Sequence, residues 1–132
     1  MIKLALIGCG RISKRHSELL GLKQIKGAEL VAVCDSVANK AKKIGLQFDV
    51  PAYADMDEMM QNENIDVAVV LTPSGLHAEH VINLAKYGKD IMVEKPMALT
   101  LDDADAMIEA CDKNSCRLFI IKQNRFNVPV AK

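Results

Sequence analysis

Residues 1–16 read MIKLALIGCGRISKRH, and within them Gly8-Cys9-Gly10-Arg11-Ile12-Ser13 follows the G-x-G-x-x-G spacing of a phosphate loop, with serine in place of the last glycine. Such a loop works only in context: a strand before it, a helix after it, and an acid at the end of the second strand. Leu4 to Ile7 is an apolar run of strand length. Ile12, His16, Leu19 and Leu20 then recur at helical spacing. Glu29 to Cys34 (ELVAVC) is β-rich and ends at Asp35, a little farther on than the usual distance of about 20 residues. Gly8 permits the sharp turn, Gly10 lets backbone N–H groups approach a pyrophosphate, and the helix beginning near Arg11 and Ile12 offers its positive dipole end. The third glycine serves helix–strand packing, so Ser13 is small enough to replace it. A G-x-G alone is more often a β–α turn without a ligand; strand, helix and acid together favour the cradle.

Working outward, strand and helix signals alternate. Ala38 to Ile44 is helical, with Lys40, Lys42 and Lys43 as a solvated face. Pro51 to Tyr53 fits a short strand and Asp55 to Gln61 a helix. Ile65 to Leu71 (IDVAVVL) is apolar on both faces, as in a parallel sheet covered on both sides. Ser74 is placed to cap a helix burying Ala78, Val81, Ile82 and Ala85. Asp90 to Val93 is a further strand. Thr100 and Asp103 form a capping-box pattern before Ala104, Met107, Ile108 and Cys111, and Arg117 to Ile121 is the last strand. The expected fold is α/β: a Rossmann-type doubly wound parallel sheet with helices on both faces and right-handed crossovers.

Composition narrows the function. The 132 residues fit one domain of about 100–150 residues, and 50% apolar content supports a core without staples. Lys and Arg balance Asp and Glu at 17 each, which argues against a dedicated nucleic-acid binder. No apolar run approaches the roughly 18 residues of a membrane span, and the N-terminal stretch lacks the charged region and cleavage site of a secretory leader. The four cysteines, Cys9, Cys34, Cys111 and Cys116, form no C-x-x-C pair and lie in or beside apolar segments. They read as small buried hydrophobes in a reducing, cytoplasmic protein. There is no repeat and no low-complexity tract.

Asp35 also selects the cofactor. A carboxylate there accepts hydrogen bonds from ribose hydroxyls and repels a 2′-phosphate. No arginine follows; the next residues are Ser36, Val37, Ala38 and Asn39, so NAD is expected over NADP. Three more polar stretches fall where strands should end: Leu71-Thr72-Pro73-Ser74, Glu94-Lys95-Pro96 and Gln123-Asn124-Arg125. In open parallel sheets ligands bind outside the carboxyl ends of strands. His77 and His80, at i and i+3, are geometrically able to share a metal, but no further ligand set accompanies them and no metal is expected. His16 shares a face with Ile12 and Leu19 and reads as a packed core histidine.

The set GCGRIS, CD, TPSGLH, EKP and KQNRFN resembles the N-terminal half of the glucose–fructose oxidoreductase / inositol dehydrogenase family, NAD(P)-dependent sugar and cyclitol dehydrogenases, over nearly the whole chain. RISKRH and KQNRFNVPV look most like bacterial UDP-N-acetylglucosaminuronate 3-dehydrogenases, which oxidise a nucleotide sugar for surface polysaccharide synthesis. The resemblance implies roles. Lys95 would sit beside the nicotinamide and the reacting sugar carbon, orienting the hydroxyl or moving its proton. Pro96 lowers the cost of a cis bond that would point Lys95 inward. Glu94 would contact the nicotinamide-side ribose, Thr72 and Pro73 would form the loop over the dinucleotide, and Gln123 would lie near the carboxamide or the substrate. Arg125 would hold a substrate carboxylate or phosphate, or else is a surface residue. His77 would lie near the nicotinamide ribose, or else marks a solvated helix start.

The resemblance divides the chain into an NAD-binding Rossmann domain, residues 1–122, and the start of a connection, residues 123–132, to a substrate domain outside this sequence. That domain would supply further catalytic residues and most subunit contacts of a homo-oligomer. The expected partner is a small sugar or nucleotide sugar, with no nucleic acid and no membrane. An isolated cofactor-binding half should bind NAD and turn over little, because near-attack geometry needs both reactants positioned. A non-catalytic NAD-binding module is the alternative, and the Lys95-Pro96 pair favours the enzyme.

Overall fold

Leu4 and Leu6 face one side of the first strand and Ala5 and Ile7 the other, and all four are buried. That double burial follows from a strand covered on both faces, and the whole sheet is built this way. The structure, a computed structural model, describes residues 2–8, 27–94 and 98–121. Within them run β1 (Ile2–Ile7), β2 (Ala28–Cys34), α1 (Ala38–Phe48), β3 (Ala52–Tyr53), α2 (Met56–Asn62), β4 (Val67–Val70), a 3-10 turn (Ser74–Leu76), α3 (His77–Ala85), β5 (Asp90–Glu94), α4 (Leu101–Lys113) and β6 (Leu118–Ile121).

The six strands form one sheet in the order β3-β2-β1-β4-β5-β6, and every pair is parallel. This is the strand order of a doubly wound dinucleotide-binding sheet, and the expected α/β fold is the observed one. One face packs Ala5, Ile7, Ala32, Ala68, Val70, Ile91 and Val93 under α2, α3 and α4, through Met59, Val81, Leu84 and Met107. The other packs Leu4, Leu6, Val33 and Val69 with Ala41 and Ile44 of α1.

Helix starts follow the capping chemistry. Asp55 lies just outside α2 and its side chain accepts the Glu58 N–H at 3.1 Å; Thr100 does the same for Asp103 at 3.1 Å. A carboxylate ties α2 to α3: Asp57 Oδ1 accepts from Tyr87 Oη at 2.6 Å and Asn83 Nδ2 at 3.1 Å, and faces Lys86 Nζ at 3.2 Å. Tyr53 donates its hydroxyl to Glu63, and that bond, with burial, pushes the phenol up to about 12. At the sheet's opposite end Arg117 holds Asp90 through Nη2 at 2.7 Å and Nε at 3.1 Å.

The helices after β4 and β5 depart from expectation in three places. The helix after β4 does not begin at a Ser74 cap: Ser74–Leu76 forms a 3-10 turn and Leu76 is the N-cap of α3, without a side-chain cap bond. Its buried stripe is His77, Val81, Leu84 and Ala85, and Ile82 is exposed. In α4, Met107 and Cys111 are buried as expected but Ile108 is exposed, because the helix presents a narrower stripe to the sheet. The described cysteines, Cys34, Cys111 and Cys116, are buried and not in disulfides, and burial pushes the Cys111 thiol up to about 11. No helix among the described residues is long and apolar enough to cross a membrane.

Candidate functional site at the carboxyl edge of the sheet

Because every strand runs the same way, their carboxyl ends meet along one edge. That edge carries Gly8 after β1, Asp35 after β2, Thr72 and Pro73 after β4, and Glu94 as the last residue of β5. The order of the sheet reverses at β1, which bonds β2 on one side and β4 on the other. Here the three strand ends are stitched together: the Gly8 N–H donates to the Cys34 carbonyl at 2.7 Å, and the Leu71 N–H donates to the Ile7 carbonyl at 2.7 Å.

Gly8 is demanded by this junction. Its φ is +105°, a region that side chains disfavour. A Cβ on Gly8 would also lie 2.8 Å from the Thr72 nitrogen and 2.9 Å from the Leu71 carbonyl carbon. The Gly8 backbone here comes closer to Leu71 and Thr72 than any side chain permits, which is the part the first glycine of such a loop plays in the tight turn.

Asp35 is fixed from two sides. Its N–H donates to the Tyr53 carbonyl at 3.0 Å, and its Oδ1 accepts the Val37 N–H at 2.8 Å. This Asx-type turn carries the chain from β2 towards α1 and sets the carboxylate at the strand end. Lys40, Lys42 and Lys43 are exposed on α1, as a solvated face should be.

Thr72 is held by two histidines. His77 is only 1% exposed and its Nε2 lies 2.7 Å from the Thr72 carbonyl oxygen. A carbonyl only accepts, so this nitrogen carries a proton and donates. His80 Nδ1 lies 2.9 Å from Thr72 Oγ1. Burial holds His80 below the usual imidazole range; Glu79 pulls it back up and His77 pushes it further down. His77 is therefore no solvated helix start. Its ring occupies a core position that the sequence reading gave to an aliphatic residue, and the Thr72 carbonyl satisfies the buried N–H. The Thr72–His80 contact escaped the sequence reading; the signal for both contacts was the spacing of five and eight residues from the threonine.

Gly10, Arg11, Ile12, Ser13, His16, Lys95, Pro96, Gln123 and Arg125 lie outside the described residues. Among the described residues no group of three or more His, Cys, Asp or Glu side chains is arranged to hold a metal ion.

Residues 2–122 match the family model described as an oxidoreductase family with an NAD-binding Rossmann fold. The chain belongs to this family. The glucose–fructose oxidoreductase / inositol dehydrogenase resemblance read from the motifs is thus shown. Relatives include D-apiose dehydrogenase of Paraburkholderia graminis, 35% identical over 94% of this chain and 33% of the relative. The myo-inositol 2-dehydrogenase of Thermotoga maritima is 35% identical over 96% of this chain and 37% of the relative. Among solved structures, the WlbA dehydrogenase of Bordetella pertussis in complex with NADH and UDP-GlcNAcA is 38% identical, covers 96% of this chain and 38% of that one, and superposes with a TM-score of 0.85. The chain thus spans about a third of the length of the curated relatives it matches. NAD is the cofactor of this family, and Gly8, Asp35 and Thr72 stand together at the carboxyl ends of β1, β2 and β4, beside the point where the sheet order reverses, which is where an open parallel sheet binds its ligand.

Proposed function

We propose that this chain is the cofactor-binding half of an NAD-dependent sugar dehydrogenase, and that its substrate is a nucleotide sugar, UDP-N-acetylglucosaminuronate, oxidised at C3 for surface polysaccharide synthesis in the cytoplasm. The observation that carries the cofactor half is the Gly8–Thr72 junction, too close for a Cβ and placed where the sheet order reverses. The nucleotide-sugar reading is supported by the 38% identity to a dehydrogenase crystallised with NADH and UDP-GlcNAcA. It is supported further by the RISKRH and KQNRFNVPV stretches.

In this reading the backbone from Gly8 to Ile12, with Gly10 and Arg11 between, cradles the pyrophosphate at a helix N-terminus. Asp35 accepts from the adenosine ribose. Thr72 and Pro73 cover the dinucleotide, Glu94 accepts from the nicotinamide-side ribose, and Gln123 reaches the carboxamide or the substrate. The bound nicotinamide supplies the hydride acceptor. Lys95 is the catalytic residue: as the ammonium it orients the substrate hydroxyl, or, where burial leaves it the neutral amine, it takes up the proton that the hydroxyl releases. Arg125 pairs its planar fork with the substrate's carboxylate or phosphates. Residues 1–122 form the NAD-binding domain, and residues 123–132 begin the connection to a substrate domain through which the full-length protein assembles as a homo-oligomer.

A second reading keeps the chemistry and changes the substrate to another sugar or an inositol; the 35% identities to D-apiose and myo-inositol 2-dehydrogenases favour it. The test is to follow NADH formation at the nicotinamide absorbance by the full-length protein with UDP-N-acetylglucosaminuronate, D-apiose and myo-inositol. Turnover of the nucleotide sugar alone supports the first reading. Turnover of apiose or inositol alone supports the second.

A further inference from the structure

The carboxyl edge holds two histidines that converge on one residue. His77 Nε2 reaches the Thr72 carbonyl at 2.7 Å and His80 Nδ1 reaches the Thr72 hydroxyl at 2.9 Å. Thr72 in turn meets Gly8, where even a methyl group would come within 2.8 Å of its nitrogen and 3.0 Å of its Cγ2. The position of Thr72 therefore sets the width of the crevice beside the first glycine of the phosphate loop. Pro73 follows Thr72 and contributes no N–H, and the next turn is closed by the Leu76 N–H on the Pro73 carbonyl at 2.8 Å.

We infer that His77 and His80 are positioning residues for cofactor binding, acting through the Thr72 carbonyl and hydroxyl rather than by touching the dinucleotide. The inference rests on the reading that this edge binds NAD. His77 is enclosed in the core and has no surface with which to meet a ligand. Its donated N–H turns the Thr72 carbonyl inward, towards α3 and away from the phosphate path, where a carbonyl oxygen would repel an anion. His80 fixes the rotamer of the same residue, so its methyl group and not its hydroxyl lies against Gly8. Two independent restraints on one residue, one on its backbone and one on its side chain, make a wall that is set before the cofactor arrives.

The test is calorimetric titration with NAD of the unaltered chain, four single variants and one double variant, with a thermal melt of each. His77→Leu fills the space without a donor and should weaken NAD binding about tenfold or more. His77→Gln extends an amide N–H towards the same carbonyl and should recover most of the affinity. A residue that only supports the fold would shift the melts without this recovery of binding. Thr72→Val and His80→Phe each remove one end of the side-chain bond, so the double variant should bind no more weakly than the weaker single one. Should His77→Leu fail to fold, this pair alone decides. Equal affinity of His77→Leu and the unaltered chain overturns the inference, as does a Gln variant as weak as Leu, or additive losses in the Thr72/His80 pair. Failure of the unaltered chain to bind NAD overturns the site reading itself, and the inference with it.

Discussion

Gly8 and Thr72 touch through their backbones: a Cβ at Gly8 would stand 2.8 Å from the Thr72 nitrogen. The contact joins the end of β1 to the loop after β4, the two strands between which a doubly wound sheet opens its ligand crevice. Gly8→Ala must adopt a φ of +105° and push Thr72 outward as well. The strain alone is of order 1–3 kcal/mol. A melt several degrees lower, with loss of NAD binding, is the expected result. An alanine variant that binds NAD normally would remove Gly8 from the cradle.

Asp35 both shapes its turn and carries charge. Asp35→Asn keeps an oxygen for the Val37 N–H and removes the charge. The melt should stay within about 1 °C per few tenths of a kcal/mol lost, on the scale for small domains. The preference for NAD over NADP should fall about tenfold, the effect of roughly 1.4 kcal/mol. Parallel titrations with the two nucleotides read this directly.

His80 makes stability depend on pH. Burial holds its imidazole below the usual range, so the folded chain binds fewer protons here than the unfolded one once the pH drops below about 6.5. The contribution is fully present above that pH and is lost as the pH falls through the depressed folded value. Melts taken from pH 8 to pH 5 should therefore decline for the unaltered chain and decline less for His80→Gln. Equal declines would assign the effect to another group.

Asp57 should act lower on the pH scale. Tyr87 donates to it, Lys86 and Asn83 face the same oxygen, and together they hold its carboxyl below the ordinary value despite partial burial. Its contribution is present above the ordinary carboxylate pKa of about 4 and is lost as the pH falls through the depressed one. Asp57→Ala leaves the Tyr87 hydroxyl and the Asn83 amide without this acceptor and should cost about 1–2 kcal/mol in urea titrations at pH 7.

Much of this was legible in the sequence. Strands apolar on both faces, such as Val67–Val70, can only be interior parallel strands, and Gly8 and Asp35 stand where the alternation of strand and helix puts them. The rotation of α3 was not legible. Ala78, Val81, Ile82 and Ala85 form a good apolar stripe, but the buried one is His77, Val81, Leu84 and Ala85. Hydropathy places a histidine outside. The Thr72 carbonyl, five residues earlier, helps make its burial tolerable, and a partner of that kind is invisible to periodicity. The Ser74 cap failed for a related reason. The chain takes one 3-10 turn first, and His77, beside the half-buried Ala78, is the residue that becomes fully buried.

The central claim is that the edge built by Gly8, Asp35 and Thr72 holds NAD. Calorimetric titration of this chain with NAD and, separately, with NADP tests it most directly. Saturable NAD binding and much weaker NADP binding are expected, with the difference shrinking in Asp35→Asn. No binding of either nucleotide, or tighter binding of NADP, would contradict it.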